Sequence, residues 1–394
     1  MVTPRVLFAL GFRPFFLAAG LAAVALMAVW IAILQGGVAA PAYFDRAGGS
    51  AGWHSHEMLF GYLTAVVAGF LLTAVRNWTG LPTPTGGALA ALVGLWFVGR
   101  VTPFVVGDAA AGAVAALDLA FLPALTIAVA IPLLRSGQRR NLVFLLVLAA
   151  LALANLLIHL EALGLATGSA WIGTRLAVDG IVLLIAIIAG RVVPFFTRGA
   201  LPGAQPRSWP ILDGLALASI VALAALRPAT PELIPVPLFC GVAALAALCH
   251  AVRLAAWYDA RIWSQPLLWV LFVGYAWLVV GFALTALSTR LPLAPLLGLH
   301  AFTAGGMGTV TLGMMARIAL GHTGRPFVPP RAVVVAFALV PLAAVVRVLV
   351  PLFAPHGYAR LLVLAGTLWL VAFLLFVVAY APILLRPRAD GRPG

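Results

Sequence analysis

The sequence predicts an all-α membrane protein that crosses the bilayer about twelve times. Hydrophobic residues make up 64% of its 394 residues and charged residues only 9%, a composition that excludes a soluble globular protein. The apolar residues form long runs, and each helical crossing needs about 20 of them. These runs do not alternate polar and apolar residues as barrel strands do, so the expected spans are helices.

The apolar runs define twelve predicted spans in a single transmembrane domain over residues 1–394. The spans are residues 15–35, 56–76, 86–106, 112–134, 141–165, 174–197, 210–226, 233–256, 266–287, 293–320, 332–352 and 358–384. The first run is longer than the apolar part of a usual signal peptide, so we expect it to be retained as a span.

The charge distribution predicts the orientation of the spans. The formal net charge is +14, but no compact basic segment with interleaved aromatic residues is present, so we expect no nucleic-acid partner. With the N-terminus inside, 17 of the 24 basic residues, all arginines, fall on the inner side. The positive-inside rule then predicts that both termini are cytoplasmic.

The second span begins with the sequence WHSHE at 53–57 and carries two histidines and a glutamate into an apolar run. A titratable side chain at membrane depth costs several kcal/mol unless it has a partner, so such residues indicate a functional site. Counting residues along the spans predicts one layer of titratable groups near the outer face. The layer contains His54, His56, His159, His300, Glu57, Asp118, Glu161 and Asp179, with Arg100 and Arg175 at its rim.

Spans 2 and 10 share a set of residues at a constant offset of 244 positions. His56, Gly61, Gly69, Thr79, Gly80 and Pro82 match His300, Gly305, Gly313, Thr323, Gly324 and Pro326. Glycines are common in this chain, but a histidine and a Thr-Gly-x-Pro ending in the same register indicate one structural unit used twice. We therefore predict a pseudo-repeat that relates these two spans.

The repeated histidines are candidate metal ligands. Neutral imidazoles on two facing helices hold haem iron or copper, and His56 with His300 is the predicted haem pair. His54 lies about 200° from His56 around a regular helix, so we predict a second centre for copper with His159. Asn155 is a candidate to orient His159, and Glu57 or Glu161 is a candidate oxygen ligand. An alternative interpretation is that such histidines only contact headgroups at the interface.

Five motifs in this chain resemble the NnrS family. They are GFRPFFL at 11–17, WHSHEMLFGY at 53–62, AGFLLTAVRNWTG at 68–80, GRVVPFFT at 190–197 and HAFTAGGMGTVTLGMMARIALGHTGR at 300–325. The resemblance implies a polytopic bacterial inner-membrane protein that contains haem, expected to be of the b type, and copper. It also implies a role in denitrification and in protection against nitric oxide and nitrosative stress.

Several functions remain open at this stage. In an enzyme, a redox step on nitric oxide would use protons relayed by Glu57, Asp118, Glu161 or Asp179, with Arg100 and Arg175 as candidate cofactor-binding residues and an electron donor that the sequence does not identify. In a sink, the metals would only bind nitric oxide. The alternative from another class is a secondary transporter of a small solute, because twelve spans and an internal repeat are common there. A purified protein without a Soret band would favour the transporter.

Overall fold

The structure is a computed structural model that describes residues 4–106, 110–227, 235–354 and 356–392. Within these ranges the chain forms helices and no strand. Backbone groups in lipid must be hydrogen-bonded within their own segment, so a long apolar run has to form a helix. The predicted all-α class is confirmed.

In the described ranges, twelve helical segments correspond in order to the predicted spans. They are α1 (Phe12–Leu34), α2 (Gly49–Thr79), α3 (Gly86–Val105), α4 (Ala111–Arg135), α5 (Arg139–Ala162), α6 (Ser169–Ala200), α7 (Pro210–Leu226), α8 (Val236–Trp257), α9 (Pro266–Ala286), α10 (Ala294–His300, Ala301–Met307 and Gly308–His322 in succession), α11 (Arg331–Phe353) and α12 (Tyr358–Leu385). A short helical turn, Pro4–Leu7, precedes α1.

Ten of the described helices are long and apolar enough to cross a membrane, which agrees with a multi-pass membrane protein. The other two segments are α7, which has only 17 residues, and α10, which consists of three consecutive shorter segments. The count of twelve spans therefore stays a prediction.

The chain groups into two compact units. Unit 1 consists of Met1–Ala177, Met315–Phe327 and Phe373–Gly394, and unit 2 of Val178–Met314 and Val328–Ala372. This grouping does not test the single transmembrane domain over residues 1–394, which stays a prediction.

Close packing of α1 on α2 organises unit 1. A Cβ atom added to Gly69 would lie 2.8 Å from Phe16 Cδ1, so the glycine lets the aromatic ring lie against the helix backbone. Phe16 is fully buried in this contact. At the start of α1, the buried Arg13 donates from Nη1 to the carbonyls of Leu384 and Arg386 at 2.8 Å each. This contact satisfies carbonyl groups that the end of a helix leaves without intrahelical partners.

Glycines also control the packing within unit 2. A Cβ atom at Gly281 would lie 2.6 Å from the Phe302 ring, and one at Gly305 would lie 2.5 Å from Trp277. Both glycines thus admit aromatic side chains of neighbouring helices into close contact.

Helices α2 and α10 change their local conformation at equivalent positions. A π-helical segment, Glu57–Leu63, follows His56, and a second one, Ala301–Met307, follows His300. The offset between these segments is the same as the offset of the sequence motifs. Both helices then return to α geometry and are followed by a glycine with positive φ, +70° at Gly80 and +67° at Gly324. Single π-helical turns inside α-helices occur frequently at functional sites.

Candidate metal centre

The N-terminal part of α2 places His56 inside a helix rather than at its end. The helix begins at Gly49, after Gly48 with φ +95°, seven residues before the predicted start of the span. His56 is therefore about two turns inside the helix, and only 1% of its surface is exposed. Its ring packs against Phe44 and Phe60, with ring centroids 4.9 and 5.2 Å away.

Oxygen atoms surround both ring nitrogens of His56. Nδ1 lies 3.1 Å from Glu57 Oε1. Nε2 lies 3.2 Å from Asp118 Oδ2 and 3.0 Å from Asn155 Oδ1. A neutral imidazole has only one N–H to donate, so it cannot satisfy acceptors at both nitrogens. This environment therefore favours a second proton or a cation at the His56 ring.

Asp118 on α4 is the centre of the cluster. Its Oδ2 accepts from Asn155 Nδ2 at 2.8 Å and lies 2.9 Å from His159 Nε2, while Oδ1 pairs with Arg100 Nη2. Gly99 makes this approach possible, because a Cβ atom there would lie 2.6 Å from Asp118 Oδ1. One carboxylate thus connects side chains from α2, α3 and α5.

His159 on α5 is the second histidine of the cluster. Its ring lies 5.3 Å from that of His56, and the two ring planes are nearly perpendicular at 83°. Its Nδ1 lies 2.7 Å from the hydroxyl of Tyr43, which belongs to the short turn Ala42–Phe44 between α1 and α2. Burial raises the pKa of the Tyr43 hydroxyl above its usual value, so the hydroxyl keeps its proton at neutral pH.

Arg100 on α3 is the cation of the cluster. It donates from Nη1 to Glu57 Oε1 at 2.9 Å and pairs with Asp118. Two carboxylates and one guanidinium leave one negative charge uncompensated when both imidazoles are neutral. Glu57 Oε2 is buried and has no hydrogen-bond partner in the described part of the chain. A buried charge is stable only when it is paired, so the cluster as a whole favours an additional cation.

The geometry of three residues fits a metal ion. His56, Asp118 and His159 each offer one ligand atom, and these atoms all lie within 4.8 Å of one another. The three side chains are buried and come from α2, α4 and α5. Two imidazoles with one carboxylate suit a transition metal such as copper or iron. His56 also has its second ring nitrogen on a carboxylate, which is the usual arrangement around metal-binding histidines.

Comparison with protein families places the chain in a known group. A family model described as the NnrS protein matches residues 6–388, nearly the whole chain. The chain belongs to the NnrS family. The resemblance predicted from the five motifs is confirmed, and NnrS membership supports a membrane protein related to nitric oxide. No curated protein matches this chain.

In this NnrS chain the structure groups His159 with His56, whereas the sequence argument paired it with His54. The His54 ring stacks on Trp30, with centroids 4.3 Å apart and planes at 12°. Asn155, predicted to orient His159, instead contacts His56 and Asp118. The pairing of His54 with His159 at a second centre stays a prediction.

His300, the other predicted haem ligand, lies in unit 2. Its Nδ1 lies 2.9 Å from the carbonyl of Leu296, and its Nε2 lies 3.2 Å from Arg347 Nη2. Arg347 belongs to a third π-helical segment, Val345–Leu349 in α11. Leu296 and Arg347 thus contact the two ring nitrogens of His300, and its pairing with His56 stays a prediction.

The remaining predicted residues have other contacts. Glu161 accepts from the backbone N–H of Ala170 at 2.6 Å, at the start of α6. The guanidinium of Arg175 lies 5.9 Å from the centre of the Trp171 ring. In unit 2, Asp179 pairs with Arg227 at 3.1 and 3.3 Å. Of the four predicted proton-relay carboxylates, Glu57 and Asp118 belong to the cluster around Asp118 described above.

The sequence argument missed Tyr43 and Phe44. Both are buried although their neighbours Ala42 and Asp45 are exposed, so the turn directs two aromatic side chains inward. The available signal was a pair of aromatic residues in the short connection before a helix start that contains two histidines. Aromatic residues near helix ends are more often interfacial, so the sequence alone does not single them out as site residues.

Proposed function

We propose that this protein binds a transition-metal ion at His56, Asp118 and His159, and that the bound ion binds nitric oxide. The convergence of these three buried ligand atoms, within 4.8 Å of one another, carries the proposal. Family membership supports the connection with nitric oxide, and the family resemblance implies copper. The same set of ligands also suits iron, so metal analysis of the purified protein identifies the ion.

The residues around the ligands suit this role. Glu57 Oε1 accepts a hydrogen bond from the Nδ1–H of His56, which leaves the Nε2 lone pair available for an ion. Arg100 forms ion pairs with both Glu57 and Asp118 and so fixes the position of the Asp118 carboxylate. An ion bound here would supply a coordination position for a diatomic ligand and would exchange single electrons. Phe44 and Phe60 pack against the His56 ring and limit the access of water.

Glu57 is the best candidate for a proton donor or acceptor in a redox reaction. Its Oε1 accepts from Arg100 and contacts His56, whereas Oε2 is buried without a hydrogen-bond partner among the described residues. A buried carboxylate oxygen without a partner has room for a proton or a water molecule. We infer that Glu57, rather than Glu161, takes part in any proton transfer at this centre.

The contacts of His56 favour an ion over an axial haem position at this residue. Its Nε2 faces Asp118 and Asn155 at 3.2 and 3.0 Å, so an iron porphyrin at that nitrogen would have to displace both side chains. At His300, it would have to displace Arg347 from Nε2. A b-type haem between His56 and His300 remains a separate hypothesis, and the Soret band of His300→Ala tests it.

The experiment is metal analysis of the protein purified in detergent, with the single variants His56→Ala, His159→Ala and His54→Ala. We expect His56→Ala and His159→Ala to lose the ion, because each removes one of three ligands. We expect His54→Ala to keep it, since the His54 ring stacks on Trp30. The hypothesis of a copper centre at His54 and His159 predicts the opposite result for His54→Ala.

Binding of nitric oxide is then followed by optical and electron paramagnetic resonance spectra of the metal-loaded protein. A wild-type protein that contains no metal, or whose metal spectrum does not change with nitric oxide, would falsify the proposal. Turnover separates an enzyme from a sink. Consumption of nitric oxide beyond the amount of bound metal, in the presence of an electron donor, requires catalysis.

A further inference from the structure

The turn between α1 and α2 contacts both candidate ligand histidines. The Tyr43 hydroxyl lies 2.7 Å from His159 Nδ1, and the Phe44 ring lies 4.9 Å from the His56 ring. The two aromatic rings also pack edge to face, 5.1 Å apart. A segment outside the membrane-length helices thus contacts two residues of the buried cluster.

The backbone holds this turn in place. Phe44 N donates to the carbonyl of Pro41 at 3.1 Å, and Ala47 N donates to the carbonyl of Phe44 at 2.9 Å. The Arg46 guanidinium packs against Gly164, just after the end of α5, because its Nη1 lies 2.6 Å from where a Cβ of Gly164 would be. Tyr43 therefore belongs to a hydrogen-bonded turn that lies close to the end of the helix that carries His159.

The two histidines have different partners at Nδ1. His56 faces a carboxylate oxygen of Glu57, which only accepts, so His56 keeps its Nδ1–H in every state. His159 faces a hydroxyl, which donates or accepts equally well. Without an ion, His159 Nε2–H donates to Asp118, and Tyr43 donates to Nδ1. With an ion on Nε2, the proton has to sit on Nδ1, and the Tyr43 oxygen accepts it.

We propose that Tyr43 is a positioning residue of this metal centre: its hydroxyl orients the His159 ring and serves as the Nδ1 partner in both tautomers, so that the neutral ring can carry its one proton on Nδ1 and present the Nε2 lone pair to an ion. The inference rests on the proposed metal site. It gives the turn Ala42–Phe44 a defined role in metal loading. Phenylalanine at position 43 would keep the ring packing against Phe44 and remove only the hydroxyl.

The test is a competitive titration of the purified protein with Cu(II), comparing wild type, Tyr43→Phe and Tyr380→Phe. Loss of a hydrogen-bond partner of a ligating histidine typically lowers metal affinity by about 10- to 100-fold, so we expect a loss of about 10-fold or more in Tyr43→Phe. Tyr380→Phe is the matched control, because it is the same substitution at a buried hydroxyl that has no hydrogen-bond partner among the described residues, and its affinity should stay close to that of wild type.

A spectroscopic measurement separates positioning from a general loss of packing. At saturating Cu(II), electron spin-echo envelope modulation detects the remote nitrogen of each coordinated imidazole. We expect the remote-nitrogen signal of one imidazole to change in Tyr43→Phe and to stay as in wild type in Tyr380→Phe. A Tyr43→Phe protein with wild-type affinity and wild-type modulation would overturn this inference alone. A wild type that takes up no copper would overturn the proposed metal site and this inference with it.

Discussion

At the scale of single residues, Asp118 decides the chemistry of the cluster. It contacts both histidines, Asn155 and Arg100, so it combines the roles of ligand, counter-ion and hydrogen-bond acceptor. Burial of this many polar groups is stable only because each carboxylate oxygen of Asp118 has a partner. The same dependence makes the site sensitive to the loss of this one charge.

We expect Asp118→Asn to lose most of its bound metal and to unfold at a lower temperature. The amide keeps the shape of the side chain but removes the anionic ligand and one of the two carboxylates that hold Arg100. Removing one partner of a buried ion pair costs about 3–5 kcal/mol. Because Arg100 keeps Glu57, we expect a cost of roughly 3 kcal/mol or less. Metal analysis and thermal unfolding in detergent measure the two effects.

Asp179→Asn is the matched control for this prediction. It also removes a carboxylate from a largely buried pair with an arginine, Arg227, but in unit 2, and Asp179 is not one of the three ligands. It should lower the unfolding temperature and leave the metal content unchanged. The role given to Asp118 is wrong if Asp118→Asn binds as much metal as the wild type, or if Asp179→Asn loses the metal equally.

The sequence predicts which residues share a level along the spans, but not which of them are neighbours. Helix rise predicts the level of a residue along its span, so the sequence alone groups His56, Asp118 and His159 in one layer. Which helices lie side by side at that level depends on packing, and Gly99 opposite Asp118 is one of the contacts that decides it. No periodicity in the sequence encodes this lateral contact, so the pairing of His159 with His56 could not be predicted.

At the scale of helices, the apolar runs predicted each segment, but not how its conformation varies along its length. The predicted second span began at residue 56, whereas α2 begins at Gly49, because the polar residues of its first turns do not extend the apolar pattern. The π-helical segments after His56 and His300 were also missed. Hydrophobic periodicity over seven residues does not distinguish an α-helix from a π-helix.

The packing of α3 on α4 provides a test at this scale. A Cβ atom at Gly99 would lie 2.6 Å from Asp118 Oδ1 and 3.3 Å from Asp118 Cα, so Gly99→Ala must displace Asp118 or separate the two helices. Overpacking of this kind typically costs about 1–3 kcal/mol. We expect a lower unfolding temperature and weaker metal binding, measured by thermal unfolding and by competitive metal titration.

Gly94 in the same helix offers a close control. An added Cβ atom at Gly94 has no neighbour within 4 Å, and alanine is a better helix former than glycine by about 1 kcal/mol. Gly94→Ala should therefore be at least as stable as the wild type and should bind metal normally. Equal behaviour of the two alanine variants would contradict the idea that Gly99 positions Asp118.

At the scale of the whole molecule, the open question is whether α7 crosses the membrane. Its 17 residues span about 25 Å, somewhat less than the roughly 30 Å of hydrocarbon. Ion pairs connect its two ends to other helices of unit 2. Asp213 in its first turn pairs with Arg253 on α8 at 2.6 Å, and Arg227 after its last turn pairs with Asp179 on α6 at 3.1 Å.

The distribution of arginines supports a crossing by α7. With twelve spans, 17 of the 24 arginines lie on the inner side, whereas omission of α7 would invert every later segment and leave only 13 inside. The positive-inside rule favours the first arrangement. We therefore expect alkaline phosphatase fused after Gly203 to be inactive and the same enzyme fused after Arg227 to be active, because phosphatase activity requires export. Green fluorescent protein fused to the C-terminus should fluoresce. An inactive fusion after Arg227 would remove α7 from the spans and would place the C-terminus on the outer side.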